Sequence, residues 1–597
     1  MALTVTDFAE QSAVDVTTVH VSPDPVVACV PWRFTGGVEV PHDTWDGKEV
    51  LLKAVAWSLH EPLTYEWDFG DGSPDEVGTV ENKRAIETRH VYTGAVGTPF
   101  IATLTVTDAD GRTATDHFPL RIRSQSLEIE MNMGIEDGLW ALHRWQERES
   151  LPGGTYGGAT IDYGYWDNSQ RNWSNSLHRA SPTASILQAF QVNGHIQVLD
   201  VRQDPYVETV THGLRFLEAA TVQIPIAPQP AGDPDSDRNA IGLTVTTDSP
   251  VVPYMATEGY EVGQVMDAFA SAGTPGAFAV AGSTEVLHRS YYELVQDMTD
   301  THAYGQVDKP LIHRGGWRYK WNSKAYADNS ASQWPIIGMV AAEEALDQAV
   351  PCWVKLEHQY WMDFSFDTLT DGFGYTKPSV THYKRKRNIL PSALVQLSFS
   401  GAVGYDDPDT PEDERDPKWI YTQGQIADAW EGSYGWGVEH LWFGPGSGTF
   451  SFYAYYAYAK AMRTAKPEAI EILPENGLDW LKDPEHGMAR RVLNKQRDDG
   501  TWPKLSSPNS IGEGFCTAWA VMILSPSLFR QPPVADAGDD VDWAPDQPLT
   551  LDGSRSGHLD PFRSIVLYEW DVDGDGVYDT SSPDPTATVT YTSTDYP

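Results

Sequence analysis

The spacing of apolar positions changes character twice along the chain. From about residue 17 to 124 it is strand-like. "VLLKAVAW" (50–57) and "FIATLTVTDADG" (100–111) alternate apolar with polar residues and run into turn chemistry. Between them lies "LTYEWDFGDGSPDE", where Trp67 and Phe69 are expected to face inward. Asp68 and Asp71 face the turn, and Gly70 and Gly72 free the backbone for a tight hairpin. From about 127 to 530 the period becomes three to four, as in helices: "IEDGLWALHRWQE", "TASILQAFQV", "YEVGQVMDAFASA", "ASQWPIIGMVAAEEAL", "PSALVQLSFSG", "TFSFYAYYAYAKAMR" and "CTAWAVMILS". After the proline-rich "RQPPVADAGDDV" the strand pattern returns in "LTLDGSRSG" and "LYEWDVDGDGVYDT". These shifts predict a short extension (1–16), a β-sandwich (17–125), a helical domain (126–530) and a second, incomplete β-unit (531–597).

Inside the helical region a unit recurs: a glycine–aromatic turn, a variable loop, then a small residue opening an apolar helix. "GGTYGG" leads to "SPTASILQAF", "GGWRY" to "DNSASQWPIIGM", and "DGFGYT" to "LPSALVQL". "YGWG" leads to "GTFSFYAYYAYAK", and "QRDDGTWPK" to "CTAWAVMIL". Ser330, Ser392 and Thr517 are expected to cap or open the inner helices. About six such hairpins would close a double ring, an (α/α)6 toroid, which removes the open ends that a solenoid must cap.

Two family resemblances rest on these stretches. Residues Tyr65 to Gly72, His90 with Tyr92, and Leu104 to Asp108 resemble the PKD domain, an immunoglobulin-like β-sandwich; this implies an extracellular spacer or adhesion module without a catalytic group. "LYEWDVDGDGVYDT" looks like a second PKD domain that stops before its closing strands, so further residues or another chain are expected to complete it. Gln496, Gly500, Trp502, Thr517 and Ala518, with Gly315, Gly316, Trp317 and Ser330, resemble the repeat of the prenyltransferase and squalene cyclase superfamily. That resemblance implies the toroid and says little about activity.

Composition narrows the partners. The formal net charge is −42, which argues against nucleic acid and anionic membranes as partners. Three scattered cysteines exclude a disulfide framework and a cysteine-only zinc site. No apolar run is long enough to span a bilayer, and "MALTVTDFAEQ" lacks a signal-peptide pattern. With the PKD resemblance, the expectation is an extracellular or cell-surface protein whose native signal is not in this sequence.

Three chemistries occur on such toroids. Cyclases protonate an alkene with an acid of the pattern D-x-D-D. Here Tyr326-Ala327-Asp328-Asn329 keeps only Asp328, which stands also where a helix N-cap belongs. Prenyltransferases hold zinc with Asp-x-Cys; Ser330 replaces the thiolate, so no zinc is expected. Polysaccharide hydrolases and lyases use acids across an aromatic cleft. Candidates are Glu136, Asp137, Asp371, Glu431, Glu439, Asp498 and Asp499, each of which also reads as an ordinary turn or surface acid. Trp317, Tyr319, Trp334 and Trp436 are candidate ligand-facing aromatics, with packing as the plain alternative. The dispersed histidines show no metal motif.

Asp571, Asp573, Asp575 and Asp579 alternate as in the start of a calcium loop. Ser582 replaces its closing Glu, and the alternative is a solvated Asp-Gly turn. The reading that gathers these observations is a cell-surface multidomain protein whose toroid is a scaffold or ligand-binding module with PKD spacers. Its partners would be further domains, neighbouring subunits, or a polysaccharide or other surface ligand. The alternative is a secreted toroid enzyme acting on polysaccharide, with a terpenoid cyclase-like enzyme behind it.

Overall fold

The computed structural model describes residues 2–6, 12–16, 24–30, 41–151, 160–167, 179–197, 201–202, 204–246, 259–272, 277–321, 326–367, 372–378, 383–400, 452–465, 469–472, 477, 479–484, 487–503, 512–525, 537, 544, 546–556, 565–570, 572 and 579–591. An N-terminal hairpin pairs β1 (Ala2–Thr6) with β2 (Ser12–Val16). Next come β3 (Val26–Cys29), β4 (His42–Thr44), β5 (Glu49–Trp57), β6 (Thr64–Asp68), β7 (Glu76–Thr79), β8 (Ile86–Val91), β9 (Pro99–Thr107) and β10 (Thr113–Ile122). They form two sheets, ordered β4-β10-β9-β6-β7 and β3-β5-β8. Trp67, Phe69, Leu104 and Val106 are buried between the sheets, as the alternation predicts. Gly70 has φ +71°, and a Cβ there would meet the Ile101 carbonyl oxygen at 2.2 Å. His90 stacks on Phe69 with centroids 3.9 Å apart, and its Nε2 lies 2.8 Å from Asp71 Oδ2.

Strand β5 departs from simple alternation. Seven consecutive residues, Val50 to Ala56, are buried. Val50, Leu52, Ala54 and Ala56 fill the sandwich. Leu51 and Val55, with Ala28 and Val30 of the neighbouring strand region, join the apolar cluster of the helical domain. A strand covered on both faces reads as a continuous apolar run, and "VLLKAVAW" is one. The sandwich is therefore docked, which corrects the expectation of a free spacer.

The helical domain contains α1 (Leu127–Arg144), α2 (Ala180–Gln191), α3 (Tyr206–Ala220), α4 (Gly259–Ala270), α5 (Tyr291–Gly305), α6 (Asn329–Leu346), α7 (Cys352–Ser365), α8 (Tyr383–Ser400), α9 (Phe452–Arg463), α10 (Met488–Leu493) and α11 (Glu513–Leu524). Helix α2 packs on α4, α4 on α6, α6 on α8, α8 on α9, and α9 on α11. Helix α11 returns to α2. That inner ring is closed, and α1, α3, α5, α7 and α10 pack outside it: an α/α toroid. The inner helices are buried almost all round, α2 at every residue, whereas outer helix α7 buries only one stripe. The basic run "YKRKRN" opens α8.

One tryptophan staples a hairpin in each of three copies. The backbone N–H of Trp166, Trp317 and Trp502 donates to Thr183 Oγ1 (3.1 Å), Ser332 Oγ (2.9 Å) and Thr517 Oγ1 (3.1 Å) inside the next inner helix. The indole N–H donates backwards, to the carbonyls of Leu142 (2.7 Å), His302 (2.8 Å) and Val492 (2.7 Å). The small repeat residue is thus an acceptor for the tryptophan. Thr517 and Ser392 do not open their helices as expected; both lie within them, and the partner of Trp317 is Ser332.

Beyond the toroid, Pro548–Asp552 pairs with Thr586–Thr590, and Tyr568–Trp570 with Thr580–Ser582. The latter mirrors Tyr65–Trp67 against β7. No helix among the described residues is long and apolar enough to cross a membrane.

Candidate functional site

Helix α6 starts at Asp328, an extended N-cap residue whose Oδ1 accepts from Ala331 N–H at 2.7 Å and from Ser330 Oγ at 2.8 Å. This is the capping role that the sequence offers as an alternative to catalysis. The other carboxylate oxygen holds the Arg318 guanidinium, which lies 4.5 Å from the Tyr319 ring centroid. Burial pushes the Asp328 carboxyl above its usual range, although Arg318, Ser330 and the Ala331 N–H pull the other way. Four tyrosines gather here. Tyr319 and Tyr375 hydroxyls are 3.0 Å apart, and Tyr260 OH lies 2.7 Å from Ser330 Oγ. Tyr453 OH donates to the Ser330 carbonyl at 3.2 Å and accepts from Gln333 Nε2. All four tyrosines and Arg318 are half-buried, so this mouth reaches solvent.

Tyr260, Ser330 and Tyr453 are each the second residue of an inner helix, α4, α6 and α9. That shared register places them in one layer at the N-terminal ends of the ring. One turn further, Trp334, Tyr456 and Trp519 stack. Tyr456 and Trp519 centroids are 5.2 Å apart at 11°, and Trp334 to Trp519 is 6.1 Å. Another turn down, Lys460 Nζ meets Asp267 Oδ2 at 2.7 Å. Helices α6 and α11 are not neighbours in the ring, nor are α4 and α9. These contacts therefore cross the interior, which aromatic rings and one ion pair span among the described residues. Burial lowers the Lys460 ammonium to about 8 and raises the Asp267 carboxyl, while their attraction opposes both shifts.

The remaining expectations fall as follows. Trp317 is a fully buried staple and Trp334 lies in the buried stack, so neither faces an open ligand site; Tyr319 does stand at the mouth. Trp436, Asp371, Glu431 and Glu439 lie outside the described residues, as do Asp571, Asp573 and Asp575. Asp579 is exposed, and its Oδ2 accepts from Val572 N–H at 2.8 Å. Asp137 pairs with Lys53 of the sandwich at 3.3 Å, and Glu136 beside it is buried. The carbonyls of Asp498 and Asp499 accept from Arg89 and Arg144. Asp137 and Asp498 thus face the sandwich, whereas Asp499 binds within the helical domain. Of the neighbours that a D-x-D-D acid requires, Tyr326 is exposed. Asn329 is buried, with its side chain bonded to Trp361 Nε1 and the Gly374 carbonyl. A raised carboxyl beside an arginine is the opposite of a strong alkene-protonating acid.

Sequence reasoning missed Arg318, Tyr260, Tyr375 and Tyr453. The signal for two of them was present, since both tyrosines stand one residue inside a repeat helix, as Ser330 does. The group that could hold a cation among the described residues is Asp235, Asp237 and Asp300, whose carboxylate oxygens lie within 4.8 Å of one another. Burial pushes Asp300 up to about 7, against the hydrogen bonds from Ser236 and Gln296.

Comparison with known proteins gives three findings. Residues 40–122 match the PKD domain family. No curated protein sequence matches the chain. Among solved structures, a family 76 glycoside hydrolase from a bovine Bacteroides thetaiotaomicron strain aligns over 84% of this chain and 99% of its own, at 10% identity and TM-score 0.37. A β-1,2-glucanase from Parabacteroides distasonis aligns over 85% and 70%, at 11% identity and TM-score 0.33. The PKD domain of an M14-like peptidase from a Thermoplasmatales archaeon covers 17% of this chain and 94% of its own, at 13% identity and TM-score 0.12. Of the prenyltransferase and squalene cyclase resemblance, the helix packing supports the α/α toroid alone. Scores this low leave function to the geometry of the chain itself.

Proposed function

We infer that the toroid takes a polysaccharide at the mouth around Asp328 and acts on it, with Asp328 as the acid. One observation carries this reading: the buried Asp328 carboxyl, shifted upward by burial, lies among four half-buried tyrosines. Tyrosine faces pack on sugar rings while their hydroxyls exchange hydrogen bonds with sugar hydroxyls. A carboxyl that burial shifts upward suits protonation of a glycosidic oxygen. The aromatic stack that crosses the interior one turn below the mouth favours a second reading, binding without cleavage.

Incubation with a panel of neutral polysaccharides, reading released reducing ends and retardation in affinity gels, separates these readings. Cleavage that Asp328→Asn abolishes supports the enzyme. Retardation that Tyr319→Ala and Tyr375→Ala weaken, without cleavage, supports the binding module. Neither signal with any polysaccharide would sink both.

Three finer statements belong to the same proposal. The toroid has six hairpins, supported by the six inner helices α2, α4, α6, α8, α9 and α11. The C-terminal strands form part of a second PKD-like unit, supported by the mirrored Tyr-Glu-Trp pairing. The protein works outside the cell, supported by the PKD match. Calcium at Asp571, Asp573, Asp575 and Asp579 rests on the alternation of acids alone. Calorimetry on the parent and on Asp573→Ala checks it, and no calcium-dependent heat in the parent would end it.

A further inference from the structure

The seam between the sandwich and the toroid is held by a buried histidine and by charged hydrogen bonds. His143, near the end of α1, is buried and bridges three elements. Its Nε2 donates to the Arg84 carbonyl of the sandwich at 2.8 Å, and its Nδ1 accepts from Thr209 Oγ1 of α3 at 2.7 Å. One turn back, Trp140 Nε1 donates to the Glu87 carboxylate of β8, which also binds Arg144 Nη1 at 2.9 Å. Lys53 of β5, buried from solvent, reaches Asp137 of α1 at 3.3 Å. Arg84 donates to the Gln146 carbonyl and Arg89 to the Asp498 carbonyl.

The charges facing His143 are unevenly distributed. Arg84 approaches from the sandwich, and Arg144 and Arg148 from its own side of the seam. From α3 come Glu208, which is already paired with Arg148 at 2.7 Å, and His212. Glu87 is already shared by Trp140 and Arg144. An imidazolium here meets cations and no uncommitted carboxylate. His42, buried in the sandwich with Nε2 on the Val30 carbonyl at 3.0 Å, is likewise held neutral, next to Lys53.

We propose that this seam is an acid-released clamp: docked at neutral pH, it loosens the PKD domain from the toroid as a proton reaches His143. Protonation adds a cation at His143. That charge joins Arg84, Arg144 and Arg148 at the same seam. Burial holds His143 at about 3 in the folded chain, against 6.5 for a free histidine. The sign follows from the depressed value. Its contribution to docking is complete above 6.5 and is lost as pH falls toward 3. His195, paired with Asp204 at 2.8 Å inside the toroid, is shifted upward and so works in the opposite sense. The toroid is therefore not loosened by that pair when the seam opens. The inference is independent of the polysaccharide reading.

The test follows the full chain by small-angle scattering and far-ultraviolet circular dichroism as pH is lowered from neutrality. The expected result is a rise in radius of gyration while secondary structure is kept. His143→Gln preserves the donor and acceptor geometry without a titratable ring, and moves the midpoint down by about one pH unit. Glu87→Gln removes the carboxylate that neutralises Arg144 and moves the midpoint up at low salt. A radius constant until the helices melt would overturn the clamp. So would an unchanged midpoint in both variants. If His143→Gln does not fold, the Glu87→Gln shift and the salt dependence of the parent decide alone.

Discussion

Asp300 shows how one buried acid sets a local pH dependence. Its carboxylate has no solvent exposure, accepts from the Ser236 backbone and hydroxyl, and stands near Asp297, Asp235 and Asp237. Its folded value of about 7 lies above the ordinary 3.8. A raised value means that stability is full below the unfolded pKa and is lost as pH rises toward the folded one. The loss amounts to about 2–4 kcal/mol by linkage. Asp300→Asn can still accept from the Ser236 N–H and can donate to its hydroxyl. Thermal melts in a chelating buffer should therefore show the variant more stable at pH 8 and flatter between about 4 and 7 than the parent. A variant that melts lower than the parent at pH 8 would contradict the assignment. Arg289, which binds Asp297 at 2.6 Å, offsets part of this local charge and should be left intact.

At the scale of the element, the glycine turn decides whether a hairpin can form. Gly315 and Gly500 both have φ near +85°, at +83° and +85°. Each also presses against the next outer helix. An added Cβ would stand 1.8 Å from the Glu357 carbonyl oxygen at Gly315 and 2.3 Å from that of Asp137 at Gly500. Gly47 shares the positive φ, +75°, with open space around it. Gly315→Ala should therefore cost more than about 3 kcal/mol, and Gly47→Ala about 1 kcal/mol. Denaturant unfolding checks the contrast; equal losses would mean that backbone conformation alone, and not close approach, fixes the turn. The sequence made this turn legible through its repeated Gly-aromatic pattern. It also made the inner helices legible, because their apolar residues recur strongly. Outer helices α3, α5 and α7 escaped, since "YVETVTHGLRFLEAA", "YYELVQDMTDTHAYG" and "CWVKLEHQYWMDFS" carry polar residues throughout, several of them buried, such as Glu218, Asp297, Asp300 and His358. The mouth escaped for a different reason. Arg318, Tyr260, Tyr375 and Tyr453 come from four separate segments, and only ring closure brings them to Asp328.

At the scale of the molecule, the question is whether the sandwich and toroid are two folding units or one. A spacer domain would keep its own core and present a polar outer face. Here the outer face of β5 carries Leu51, Lys53 and Val55, and the cluster it joins includes Met131, Ile135 and Leu139 of α1. Removing the sandwich would uncover that apolar strip and strand Asp137 and Trp140 without Lys53 and Glu87. Burying a side chain such as leucine or valine contributes about 1.5–3 kcal/mol, so this seam is a substantial part of a marginal stability. Calorimetry at neutral pH should therefore show the two domains melting together. Val55→Asp, which places an unpaired charge in the seam, should lower the melting temperature of toroid and sandwich alike. Two well-separated transitions in the parent, with Val55→Asp shifting only the sandwich, would restore the spacer view. If the domains do melt as one, the PKD unit works as a wall of the helical ring at neutral pH, and its departure in acid is a change in the toroid's own stability rather than a swing of a tethered module.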